Sequence, residues 1–237
     1  MVGIGPGDEK KMTTEAREAL LRSDAIVGYT AYIELVKDLF SDKELHSTGM
    51  RSEIERCRMC VDLAKQGKVV SLICSGDAGV YGMASPLLEI ALKEDFDDIE
   101  VIPGITAALS GAAVMGAPLN HDFCLISLSD LMTPWEVIEK RLEAAAMGDF
   151  AIALYNPSSH KRADYLMKAC DILLRKQSPD TLCGYVKNIG REGTETHICK
   201  LSELRGARVD MFTTVFIGNS RTYEQNGRLI TPRGYKI

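Results

Sequence analysis

Three glycine-rich segments hold residues of the kind that cradle a ligand with backbone. Residues 1–8 read M-V-G-I-G-P-G-D, with Pro6 between Gly5 and Gly7. Glycine takes left-handed torsions and lets backbone approach a ligand closely, while proline fixes the bend. Residues 75–82, S-G-D-A-G-V-Y-G, place Ser75, Gly76, Asp77 and Val80 in a second turn. Its amides and carbonyls suit a polar ligand, and the Asp77 carboxylate suits a ribose hydroxyl. Residues 103–108, P-G-I-T-A-A, continue into 109–113, L-S-G-A-A. Around Thr106 and Ala107 this helix is nearly free of bulk, so a ligand or a neighbouring helix can pack there.

Polar groups gather in further segments. Residues 120–135 read N-H-D-F-C-L-I-S-L-S-D-L-M-T-P-W. They put Ser127, Ser129 and Asp130 at the carboxyl end of an expected strand and His121 and Asp122 before it. Thr133 is the expected N-cap of the next helix, with Pro134 at its first position. Asn156 lies in L-Y-N-P-S-S, and Ile189, Arg191 and Glu192 in N-I-G-R-E-G. G-N-S-R at 218–221 and T-P-R-G-Y at 231–235, containing Arg233, follow. The opening turn departs from a dinucleotide fingerprint. Asp8 stands where a third glycine is required, and Asp24 precedes a strand instead of following one.

These segments need elements to hold them at strand ends. Apolar runs predict strands at 25–29, 69–74, 99–102, 123–127, 150–155, 181–187 and 211–217. Helical spacing predicts helices at 14–23, 32–40, 52–66, 83–93, 105–115, 135–147 and 160–176. Ser52 is the expected N-cap of the third helix, Gly67 its C′ residue, and Ile54, Cys57, Val61 and Ala64 its apolar face. Alternating elements imply an α/β fold with mostly parallel sheets. Gly116-Ala117-Pro118 marks a break between an N-terminal α/β lobe, 1–117, and a C-terminal α/β lobe, 118–237, strand-rich over 181–237, with the ligand cleft expected between them. The first strand is expected to be a very short edge strand, or the chain to begin late.

The 237 residues carry 46% hydrophobic side chains and a formal charge of −5. This balance argues against a nucleic-acid partner. No apolar run of about 18 residues occurs, so no membrane span is expected. No leader opens the chain, which points to the cytoplasm. The seven cysteines are irregularly spaced. Cys57 and Cys60 form a single C-x-x-C within a helix, without a second ligand pair, so no metal is expected and a buried helix face is the favoured reading.

Taken in order, G-I-G-P-G-D, S-G-D-A-G-V-Y-G, P-G-I-T-A-A and L-Y-N-P resemble the tetrapyrrole methylases, across essentially the whole chain. H-D-F-C-L-I-S-L-S-D-L-M-T-P-W and T-P-R-G-Y resemble the branch that methylates C-17 of a precorrin-3B-type macrocycle in cobalamin biosynthesis, with ring contraction. The resemblance implies a two-lobed α/β fold, a homodimer, and S-adenosylmethionine as methyl donor, leaving as S-adenosylhomocysteine. It implies that Pro6, Ser75, Gly76, Asp77, Val80, Thr106, Ala107, Asn156 and Ile189 line the cofactor pocket, beside Gly5 and Gly7. Relatives acting on uroporphyrinogen carry an Asp and a Lys where this chain has Thr30 and Met50, so those acid–base roles do not transfer. Contraction needs proton transfer; the candidates are His121, Asp122, Asp130, Tyr29 and Glu192. The substrate is a polycarboxylate and the chain is acidic, so local cations must receive it. Arg51, Arg191 and Arg233 are favoured, with Ser127 and Ser129 beside them. Other readings are another precorrin methyltransferase, a non-catalytic nucleotide- or tetrapyrrole-binding module, or an NAD-dependent oxidoreductase.

Overall fold

Two units make up the chain, Met1–Ala107 and Ala108–Ile237, in a computed structural model that describes residues 1–159 and 162–236. The division falls just after the first residue of the helix at 107–115, whereas the sequence reading put it after residue 117. Gly111 of that helix lies against Phe216 and Ile189, and residues 116–117 pair with residues 229–230, which ties the stretch to the second unit.

The first unit is a parallel sheet of β1 (Val2–Gly3), β2 (Ala25–Tyr29), β3 (Glu44–Thr48) and β4 (Val70–Cys74), in the order β1-β4-β2-β3. Helices α1 (Thr14–Arg22) and α2 (Thr30–Val36) cover one face, where Leu20, Ile33 and Val36 meet Ile26 and Ile73. Helices α3 (Glu53–Lys65) and α4 (Ala84–Lys93) cover the other, where Cys57, Cys60, Val61 and Leu87 meet Val27 and Leu72. With both faces covered, the inner strands read as nearly continuous apolar runs, A-I-V-G-Y and V-S-L-I-C, broken by the buried Ser71. Leu20, Ile26, Leu72 and Ile73 are all at most 1% exposed. Burying each contributes about 1.5–3 kcal/mol. That outweighs surface ion pairs such as Arg17–Glu9, worth about 0–1 kcal/mol.

Several expectations need correction here. Residues 99–102 form no strand; Ile102 makes an isolated bridge beside β1, with Gly3 N donating to Ile102 O at 3.0 Å and Ile102 N to Met1 O at 2.8 Å. The two-residue β1 is the very short edge strand expected, and the isolated bridge to Ile102 covers its outer side. Helix α2 starts directly from β2 and ends at Val36, four residues short of the expected end at residue 40. In α3, Ile54 is 50% exposed, and the buried face runs through Arg56, Cys57, Cys60 and Val61. Ser52 takes the N-cap position without a side-chain bond. Gly67, at φ +88°, closes the helix from the C′ position.

The second unit contains α5 (Ala107–Met115), β5 (Gly116–Ala117), β6 (Phe123–Ser127), α6 (Trp135–Met147), β7 (Ala151–Tyr155), α7 (Tyr165–Leu173), β8 (Leu182–Lys187), β9 (Glu195–Lys200), α8 (Leu201–Leu204), β10 (Thr213–Ile217), β11 (Tyr223–Gln225) and β12 (Arg228–Ile230). Its main sheet runs β6-β7-β10-β8-β9. Only β6 and β7 are parallel; the other pairs are antiparallel. The mostly parallel expectation therefore fails here. Without a crossover helix, the short link between β8 and β9 requires antiparallel pairing. Pro134, not Thr133, occupies the N-cap of α6. The expected helix at 160–176 is ordered as α7; His160 and Lys161 lie outside the described residues. No helix among the described residues is long and apolar enough to cross a membrane.

Burial governs the cysteines. It pushes the thiols of Cys57, Cys60, Cys124 and Cys199 up to about 11, and those of Cys74 and Cys170 to about 12. Cys57 and Cys60 are a helix face, not a redox pair, because the thiolate is the reactive form. Titration with a disulfide reagent at mildly alkaline pH is expected to leave the five fully buried thiols of the native chain silent and to reveal all seven after unfolding. Rapid native reaction of Cys57 or Cys60 would contradict this.

Candidate active site

In the first unit, three segments cross at the carboxyl ends of β1 and β4. Gly5 N donates to Gly76 O at 3.0 Å, and Gly76 N returns to Gly5 O at 2.7 Å. Ile4 N donates to Cys74 O at 2.9 Å. Gly5, Gly7 and Gly76 take φ of +74°, +141° and +74°. The approach leaves no room for side chains: a Cβ on Gly104 would lie 2.1 Å from Gly76 O, and one on Gly3 would lie 2.8 Å from Gly104 N.

Asp77 fastens the crossing. Its Oδ1 accepts from Gly79 N at 2.8 Å and Val80 N at 3.0 Å; its Oδ2 accepts from Gly104 N at 3.0 Å. The carboxylate expected to face a ribose is mainly a clamp, with capacity for a hydroxyl left on Oδ2. Ser75 Oγ donates to Gly5 O at 3.4 Å. Thr106 is buried and Ala107 half-buried beside Gly76. The structure thus gathers Gly5, Ser75, Gly76, Asp77, Val80, Thr106 and Ala107, with Pro6 and Gly7 in the same turn.

In the second unit, Ser127 Oγ accepts from Asn156 Nδ2 at 2.9 Å and from Ser129 N at 3.2 Å, joining the ends of β6 and β7. Beside them, Arg162 Nη1 donates to Ser129 Oγ at 2.7 Å and to Asp130 Oδ1 at 3.2 Å. Tyr165 Oη donates to Asp130 Oδ2 at 2.5 Å. That bond, more than Arg162, holds the Asp130 carboxyl below its ordinary 3.8 and raises the Tyr165 phenol. A depressed carboxylate contributes stability above its unfolded value and loses it as pH falls through the folded one. Asp130→Asn is expected to lower Tm near neutral pH, with the gap to wild type closing in acid below 3.8. A gap that persists unchanged in acid would contradict this.

The remaining candidates lie elsewhere. Tyr29 ends β2, edge-on to Tyr32 at 5.2 Å. His121 and Asp122 lie at the amino end of β6, a strand's length from Ser127, so the structure does not bring them to Asp130. Glu192 is exposed in the turn after β8. Arg51 and Arg233 are exposed, and Arg191 is half-buried with its guanidinium 5.3 Å from the Phe212 ring centre. Ile189 packs with Phe216 around Gly111, so that part of the small-residue helix accommodates protein. Ala108 N donates to Tyr155 Oη at 2.7 Å. Sequence reasoning missed Arg162 and the buried Arg56. Both were absorbed into helical patterns, and no local signal set them apart. No group of three or more His, Cys, Asp or Glu among the described residues is placed to hold a metal ion.

Known proteins match this chain in sequence and fold. A family model described as Tetrapyrrole (Corrin/Porphyrin) Methylases matches residues 1–205. The chain is 48% identical to a probable cobalt-factor III C(17)-methyltransferase of Salmonella typhimurium, over 100% of this chain and 99% of that one. The crystal structure of the methyltransferase CobJ matches with a TM-score of 0.90 at 37% identity, covering 98% of each chain. Uroporphyrin-III C-methyl transferase from Thermus thermophilus, complexed with S-adenyl homocysteine, has a TM-score of 0.72 at 20% identity, over 92% of this chain and 95% of that one. That last likeness is one of fold.

Proposed function

The chain belongs to the tetrapyrrole (corrin/porphyrin) methylase family, and from that premise we propose that it methylates C-17 of a cobalt-factor III or precorrin-3B-type tetrapyrrole with S-adenosylmethionine, in cobalamin biosynthesis. The observation that carries this reading is the glycine crossing at the carboxyl ends of β1 and β4, joined to 48% identity over the whole chain with a probable cobalt-factor III C(17)-methyltransferase.

S-adenosylmethionine supplies an electrophilic methyl group on a sulfonium. The residues present fit such a donor. The crossing offers carbonyls and amides with no side chain between, on a ladder that fixes their direction. Gly5, Pro6, Gly7, Ser75, Gly76 and Val80 would hold it, with Thr106 and Ala107 beside them. Their work is positioning: holding donor and acceptor carbon about 3–3.5 Å apart and in line. Fixed backbone dipoles do this without reorganising during the reaction.

Tyr165 Oη holds its proton against the Asp130 carboxylate. Of the five acid–base candidates, Asp130 is the one set in such a network, and we assign the proton handling of ring contraction to it. The reading extends to a homodimer working in the cytoplasm, which light scattering and fractionation check.

Incubating the chain with S-adenosylmethionine and either cobalt-factor III or precorrin-3B is expected to yield a product heavier by one methyl group, together with S-adenosylhomocysteine. The preferred tetrapyrrole identifies the cobalt-containing or metal-free route. No turnover with either, or a thermal shift with NAD alone, would overturn the reading.

A further inference from the structure

We infer that the buried guanidinium of Arg56 is a carboxylate anchor at the ligand end of the first unit's sheet, a role that rests on the proposed methyl transfer to a polycarboxylate tetrapyrrole. Arg56 is 4% exposed. None of the ion pairs among the described residues includes it. Its Nε donates to Thr48 Oγ1 at 2.7 Å and its Nη2 to Gly49 O at 2.9 Å. Nη1 has only the thioether of Met83, at 3.9 Å, and the guanidinium carbon lies 5.9 Å from the Tyr29 ring centre. Every one of these partners is neutral.

A buried cation with no anion is a burden on folding. A clamp on the turn after β3 needs donors but no charge, so folding alone does not account for arginine here. Position supplies the reason. Tyr29 ends β2, Thr48 ends β3, and Met83 follows the 75–82 turn. Ligands of parallel α/β sheets sit at these carboxyl ends. The Met83 sulfur is a weak acceptor on a flexible side chain, and a carboxylate oxygen displaces it to form a charge-assisted bond with Nη1. That carboxylate belongs either to the tetrapyrrole or to the amino-acid end of S-adenosylmethionine.

Calorimetry on the full chain separates the sources, using cobalt-factor III, S-adenosylhomocysteine, and 5′-methylthioadenosine, which lacks the carboxylate. Arg56→Met is expected to keep or exceed the wild-type Tm, and to lose about tenfold or more affinity for one carboxylate ligand. Loss for cobalt-factor III alone assigns the tetrapyrrole. Loss for S-adenosylhomocysteine with methylthioadenosine unchanged assigns the cofactor. Unchanged affinity for both carboxylate ligands, or equal loss for all three probes, overturns the anchor.

If Arg56→Met does not fold, the Nε–H resonance of Arg56 in the wild type decides. A shift with a carboxylate ligand but not with methylthioadenosine supports the anchor, and no shift overturns it. Wild type that methylates neither tetrapyrrole counts against the proposed function. An active wild type with silent Arg56 measurements counts against the anchor alone.

Discussion

Gly104→Ala is expected to abolish S-adenosylhomocysteine binding and to destabilise the first unit by about 3 kcal/mol or more. The added Cβ would lie 2.1 Å from Gly76 O and 2.5 Å from Gly3 O. Neither is the tip of a flexible side chain. Gly76 O accepts from Gly5 N, and Gly3 is held to Ile102 and β4, so relief breaks the ladder that shapes the crossing. Gly3→Ala meets backbone at 2.8 Å and should follow closely. Gly76→Ala is milder: its nearest atom would be 3.6 Å away. There the penalty is mainly the left-handed torsion, about 1–2 kcal/mol. Urea unfolding with calorimetry should therefore rank the three as 104, then 3, then 76. A Gly104→Ala chain with wild-type stability would refute the crossing.

Asp77→Asn is expected to behave like Asp77→Ala despite its near-identical shape. Oδ1 receives two backbone amides and Oδ2 receives Gly104 N. A carboxamide has a single oxygen, so in either orientation its NH2 faces an N–H donor. An unpaired backbone donor costs about 1–3 kcal/mol. Both variants should lose stability in that range and bind S-adenosylhomocysteine about tenfold or more weakly. Wild-type binding by Asp77→Asn would show that the carboxylate does not fasten the turn to Gly104.

What was legible in the sequence follows from burial. The strands at 25–29 and 123–127 and the helix at 135–147 stand where expected. Their apolar residues face cores, and that contact imposes the period. Strands β3 and β9 escaped, because E-L-H-S-T and E-T-H-I-C-K lie at sheet edges and are only partly buried. The β11–β12 hairpin carried a readable signature in Asn226-Gly227, both at positive φ. Its three-residue strands are too short to show a period.

At the site, the glycine positions were legible because torsion and close approach demand that residue. Roles that depend on distant partners were not. Asp77 clamps an amide 27 positions away, and Arg162 reaches Ser129 across 33. Spacing along the chain holds no trace of either contact. His121 and Asp122 stand before β6, as read from the sequence, a strand's length from Ser127 and Asn156.

The double bonding of β1 has a consequence for synthesis. Gly3 and Ile4 find their partners at Ile102 and Cys74, so about a hundred residues must leave the ribosome before that ladder closes. Until then the opening turn has partners only in β4 and Gly76, while the pairing of β2, β3 and β4 closes shorter loops. Such non-local closure is slow. The crossing is thus completed only when residues 102–104 arrive, and a nascent chain arrested before residue 102 would lack both the Ile102 bond to Gly3 and the Gly104 amide that Asp77 holds.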